Sequence, residues 1–151
     1  MFLVLREEFL ELGGFDARFF LYYEDRDLSR RYREAGLPLR ATEAIRGRHV
    51  VGTSSAGHGT RAETFVWSLL GWIEYLWIHE DERAARLAAR ATFTTLRALR
   101  LGMRALAALR LRRARRKAEQ LDELLRLLRE RARDSDSAYC PDAVRLIRGL
   151  A

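Results

Sequence analysis

Apolar residues recur along most of this chain at intervals of three and four, the period of a helix with one buried face. Leu28, Tyr32 and Ala35 keep that spacing within residues 24–35, and Arg30, Arg31 and Arg33 fall mostly on the other side. Leu96, Leu99, Met103 and Leu106 keep it within a long stretch over 83–111, as do Leu121, Leu124, Leu125 and Leu128 within 118–133. Residues 61–78 differ. There Phe65, Trp67, Leu69, Leu70, Trp72, Ile73, Tyr75, Leu76 and Trp77 leave almost no polar face, which predicts a buried or interfacial helix. Pro141 suits a first helical turn and opens a last short helix to about residue 148.

Before residue 60 the pattern is mixed and richer in glycine. Phe2-Leu3-Val4-Leu5 predicts a short buried strand, and 6–12 one or two helical turns with Phe9, Leu10 and Leu12 inward. Gly13-Gly14 ends those turns, since glycine accepts the left-handed backbone of a helix terminus. Asp16 is placed to cap a turn, and Gly36 and Pro38 stop the 24–35 helix. Residues 37–41 and 48–51 are weak strand candidates, the second running into Gly52-Thr53-Ser54-Ser55. The expectation is an α+β segment over 1–60 followed by a mainly α-helical tail over 61–151.

At 151 residues the chain is long enough for one domain with its own core. Its single cysteine, Cys140, excludes an internal disulfide framework and suits a reducing compartment. The first apolar run meets Arg6-Glu7-Glu8 too soon for a signal peptide. The most apolar window, 65–78, contains Glu74 and falls short of the roughly 18 to 20 residues of a membrane span. A cytoplasmic protein is expected, peripheral at most on the inner face of the plasma membrane.

The net charge of +7 is concentrated. Between Arg83 and Lys117 lie eleven arginines, one lysine and no acid. Such asymmetry calls for a polyanionic neighbour. One reading makes Trp67, Trp72, Tyr75 and Trp77 interfacial anchors, with the arginines on anionic lipids. Another packs the tail as a helical hairpin with solvated arginines. Nucleic-acid binding by 110–117 is disfavoured, because no aromatics interleave with those arginines as a base-stacking surface needs. Taken by itself the tail supports an alternative function, a non-enzymatic basic module on anionic membrane or nucleic acid.

Glu24, Asp25 and Asp27 crowd three carboxylates into four residues, directly after Phe19, Phe20, Tyr22 and Tyr23. Acids at a helix start meet the positive end of the macrodipole, which is one sufficient reason for them. An aromatic wall that desolvates a carboxylate, as a general base requires, is another.

The order of residues around that cluster resembles family 2 glycosyltransferases, in the C-terminal half of their GT-A catalytic domain, and most of all the rhamnosyl- and galactofuranosyltransferase-like members. The matching residues are Phe2 to Leu5, Arg6 to Phe9, Gly13 to Asp16, Phe19-Phe20, Tyr23 to Leu28, Arg31 to Gly36, His49 and Gly52 to Ser55, over about 55 residues. The resemblance implies an inverting transfer of a sugar from a nucleotide-sugar donor to a hydroxyl of a glycan or lipid-linked acceptor. It makes Asp25 the general base and Glu24 its helper or an acceptor contact. Asp27 is left between substrate contact and ion pairing with neighbouring arginines, and Gly52, Ser54 and Ser55 offer amides and hydroxyls to a diphosphate or sugar. His49 becomes a ligand of Mn²⁺ or Mg²⁺. In that family the other ligands come from an Asp-x-Asp motif in a preceding nucleotide-binding half. The expectation is that this chain holds no such triplet. The chain is therefore expected to carry the acceptor side alone and to be inactive by itself.

Overall fold

The computed structural model describes residues 3–44, 46, 60–134 and 137–150. Six helices account for the regular structure among the described residues: α1 (Arg6–Glu11), α2 (Glu24–Glu34), α3 (Arg61–His79), α4 (Glu82–Ala108), α5 (Arg112–Arg133) and α6 (Pro141–Arg148). No strand occurs among the described residues, so the α+β expectation, and with it the GT-A framework, is overturned. The reason is pairing. A strand satisfies its backbone amides and carbonyls only against another strand, and residues 3–5 and 37–41 find none. Leu3, Leu5 and Leu39 are instead exposed. The strand candidate at 48–51 lies outside the described residues, as do His49, Gly52, Ser54 and Ser55.

The helix ends follow from local chemistry. Gly13 and Gly14 both take positive φ after α1, and the Gly14 amide donates to the Phe9 carbonyl at 2.8 Å. A side chain at Gly14 would also crowd the Phe9 ring at 3.3 Å. Thr60 and Glu63 form a reciprocal capping box at the start of α3, and the Asp81 carboxylate accepts from the Ala84 amide at 2.6 Å to start α4. α5 begins at Arg112, well before the 118 expected from leucine spacing. Arginine, alanine and lysine are good helix formers, so the basic run is helical before its leucine face appears.

Helices α3 to α6 enclose one core. Leu70 and Ile73 of α3 meet Ala85, Ala89 and Phe93 of α4, Leu125 and Leu128 of α5, and Val144 and Ile147 of α6. The small residues Ala85, Ala88 and Ala89 are all buried and let α4 come close to its neighbours. Trp67 is buried too, against the rings of Phe20 and Tyr139, with the Arg131 guanidinium 4.5 Å from its ring centre. Trp72 and Trp77 pack against the same core, and Arg145 lies over Trp77. The aromatic richness of α3 thus serves packing. The apolar stripe of α4 behaves otherwise: Leu96 is buried, but Leu99 and Leu106 are exposed.

Candidate functional site

The acidic cluster opens α2, and its position is set by an unusual approach. Tyr22 and Tyr23 both have left-handed backbone, at φ 66° and 72°. Side chains disfavour that region by about 1–2 kcal/mol per residue. It is held here by α3. The Tyr22 carbonyl and Tyr23 ring would each lie 3.2 Å from a Cβ at Gly71, so glycine gives this contact room that any side chain would crowd. Tyr23 also packs on Tyr75, and Tyr75 on His79. Two strained tyrosines therefore aim the first turn of α2 along one face of α3, and that turn carries the carboxylates.

From there the two aspartates diverge. Asp27 is 1% exposed. Its carboxylate accepts from Arg31 at 2.6 and 3.0 Å and from His79 Nε2 at 2.7 Å, which makes Nε2 the protonated nitrogen. Arg31 continues to the carbonyls of Leu12 and Gly14. Asp27 is thereby the hub that ties α2 to the end of α3 and to the loop after α1. Arg30 adds a second tie through Glu80 and the His79 carbonyl.

Asp25 faces solvent. One of its carboxylate oxygens accepts from the Arg26 amide at 2.8 Å. It lines an open concavity of about 320 Å³ with Arg26, Ser29, Arg33 and Tyr75. Tyr75 gives an apolar wall, Ser29 a hydroxyl and the arginines positive charge. Glu24 is half-buried and does not line this concavity, and its Oε2 is buried without a hydrogen-bond partner.

Contrary to that expectation, Asp25-Arg26-Asp27 has the Asp-x-Asp spacing of a metal-binding triplet. Helix geometry sends the two carboxylates apart, one to solvent and one into the Arg31–His79 cluster. Among the described residues no group of three or more His, Cys, Asp or Glu side chains could hold a metal ion. The described residues therefore do not fit a Mn²⁺ or Mg²⁺ site.

The carboxyl that burial does tune is another one. Glu74, in the middle of α3, is 0% exposed. One oxygen accepts from the Ala143 amide at 2.8 Å, in the first turn of α6, and the other has no partner. Burial, reinforced by the nearby Asp142 carboxylate, raises its pKa to about 7, against the pull of the α6 amides and Arg18. Beside it Cys140 begins α6 at φ 49°, with both its amide and its thiol directed at the Arg18 carbonyl. The sequence did carry a sign of Glu74, an acid set within the most apolar helix, which must find a donor if buried. His79 carried no such sign, because its partner is far away in the chain.

No family model, curated protein or solved structure matches this chain. Among the described residues no helix is long and apolar enough to cross a membrane.

Proposed function

We propose that this chain supplies the acceptor side of an inverting glycosyl transfer, with Asp25 as general base. What carries the reading is the ordered residue pattern from Gly13 to Gly36, together with the division of labour within its acidic cluster. Asp27 is committed to Arg31 and His79, whereas Asp25 is left open to a concavity of sugar-like size. The reading rests on these side chains and requires no sheet.

In this mechanism an acceptor hydroxyl sits in the concavity and hydrogen-bonds to the free Asp25 oxygen. The carboxylate takes its proton as the hydroxyl oxygen attacks the anomeric carbon of the donor. The bond from that carbon to the diphosphate breaks with its electron pair, the nucleoside diphosphate leaves, and configuration inverts. A positioned base of this kind contributes about 10²- to 10⁴-fold. Ser29 and Arg33 are placed to hold neighbouring acceptor groups, and Tyr75 offers a face to a sugar ring. A glycan or lipid-linked acceptor and a cytoplasmic location at the membrane surface belong to the same proposal.

The test has two readings. Titration of short oligosaccharides should shift the amide resonances of Ser29, Arg33 and Tyr75. Joined to a donor-binding half, the chain should release nucleoside diphosphate from a nucleotide sugar in the presence of those acceptors, and Asp25→Asn in that completed enzyme should cut release by about 10²-fold or more with binding retained. Release at the wild-type rate in Asp25→Asn, or oligosaccharides that perturb no residue of the concavity, would remove Asp25 from this role.

A further inference from the structure

We propose that the outer end of the α4–α5 hairpin is a membrane-docking element, which seats exposed leucines among the headgroups of an anionic bilayer. No residue of α4 beyond Leu96 is buried, so about 18 Å of helix projects past the core. α5 returns along it through Ala114 and Ala118, two small buried side chains that hold the arm together. At its apex Leu109 is 71% exposed, and Leu106 and Leu111 on either side are exposed as well. Met103, Leu106 and Leu111 floor an open groove of about 450 Å³, edged by Arg112, Arg113 and Lys117.

The charge around these leucines is unanswered. Arg110, Arg112, Arg113, Arg116 and Lys117 are exposed, and none has an acidic partner among the described residues. The acids facing the arm are already engaged, Asp122 by Arg100 and Arg104, and Glu119 by Arg115.

An apolar tip inside a collar of free cations narrows the occupant. Nucleic acid would match the cations but leave the leucines in water, and no aromatic stands at the tip to stack on bases. A purely apolar protein surface would leave the cations unmatched. A bilayer with anionic headgroups meets both needs at one depth, since interfacial elements bury apolar side chains about 5–10 Å into the boundary between headgroups and acyl chains. The anchors thus lie at the hairpin apex and not among the tryptophans of α3, and nothing here depends on the role given to Asp25.

The test is co-sedimentation of the full chain with phosphatidylcholine vesicles and with mixed phosphatidylcholine–phosphatidylglycerol vesicles, at low and at physiological salt. Binding is expected to the mixed vesicles only, weakening with salt. Leu109→Ser with Leu111→Ser should lower partitioning about tenfold or more, and Arg112→Gln or Arg113→Gln about fivefold each. Leu109→Phe should bind as the wild type does. Circular dichroism should be unchanged in every variant, because the substituted side chains are exposed. Equal binding to neutral vesicles, or serine variants that partition like the wild type, would overturn the proposal. So would preference for duplex DNA over mixed vesicles, or a dimer lost in Leu109→Ser without any vesicle binding.

Discussion

Replacing Glu74 by glutamine isolates a buried carboxyl whose ionisation works against the fold. The groups that face it are Asp142 and the Ala143 amide of α6, Cys140 at the cap of that helix, and Arg18 from the segment between α1 and α2. Its pKa rises from an ordinary 4.5 to about 7, chiefly through burial. Between those values the folded state keeps a proton that the unfolded chain releases. Stability from this group is therefore full below about pH 4.5, falls as pH rises towards 7, and levels off above. At 1.36 kcal/mol per pH unit the loss amounts to about 3 kcal/mol at most. Glutamine cannot ionise, yet its carbonyl oxygen can still accept from Ala143. Asp16 and Asp122 are held below their usual range once their arginine partners are set against burial, and lose those partners only in stronger acid. The difference between wild type and variant removes their contribution. Urea unfolding followed by far-UV circular dichroism should find the two proteins within about 1 kcal/mol at mildly acid pH. In mild alkali the variant should be more stable by about 2–3 kcal/mol. A difference that stays flat with pH, or that widens towards acid, would refute this account of Glu74.

Asp27→Ala leaves the Arg31 guanidinium and the His79 ring without their shared acceptor and should cost about 3–5 kcal/mol in urea unfolding; a loss below 1 kcal/mol would mean that the cluster is not the hub described. Gly71→Ala drives a methyl against the Tyr22 carbonyl and the Tyr23 ring, so its thermal midpoint should fall by an amount equivalent to about 1–3 kcal/mol. An unchanged midpoint would show that the approach of α2 to α3 is looser than the contacts imply.

The helices were legible because their signals are local. The leucine spacing of α5, the glycines after α1 and Pro141 at the start of α6 each act within a turn or two of chain. The strands failed for the opposite reason. Phe2 to Leu5 and residues 37–41 have apolar or extended character, but a strand exists only with a partner, and that partner is a property of the whole fold. The same limit governs the site. The resemblance picks Asp25 out of the acidic cluster, whereas the commitment of Asp27 to an ion-paired cluster depends on Arg31 and His79. Only the packing of α2 on α3 brings His79 there. The tryptophans of α3 left two readings open for a related reason: an aromatic-rich helix reads alike whether its rings face lipid or a core, and Phe20, Tyr139 and Arg131 decide the matter for Trp67.

Cys140 turns the joint between α6 and the aromatic loop into something that can be timed. It is the only cysteine of the chain and is fully buried. Burial first, and the neighbouring Glu74 second, push its pKa up to about 12. Only a thiolate attacks an alkylating reagent, so the native protein presents almost no nucleophile and no path to it. Labelling then requires the start of α6 to leave the Arg18 carbonyl, and each modified molecule records one such departure. A single sulfur, with no engineered probe, serves as a clock for the opening of the contact beneath which Glu74 is buried.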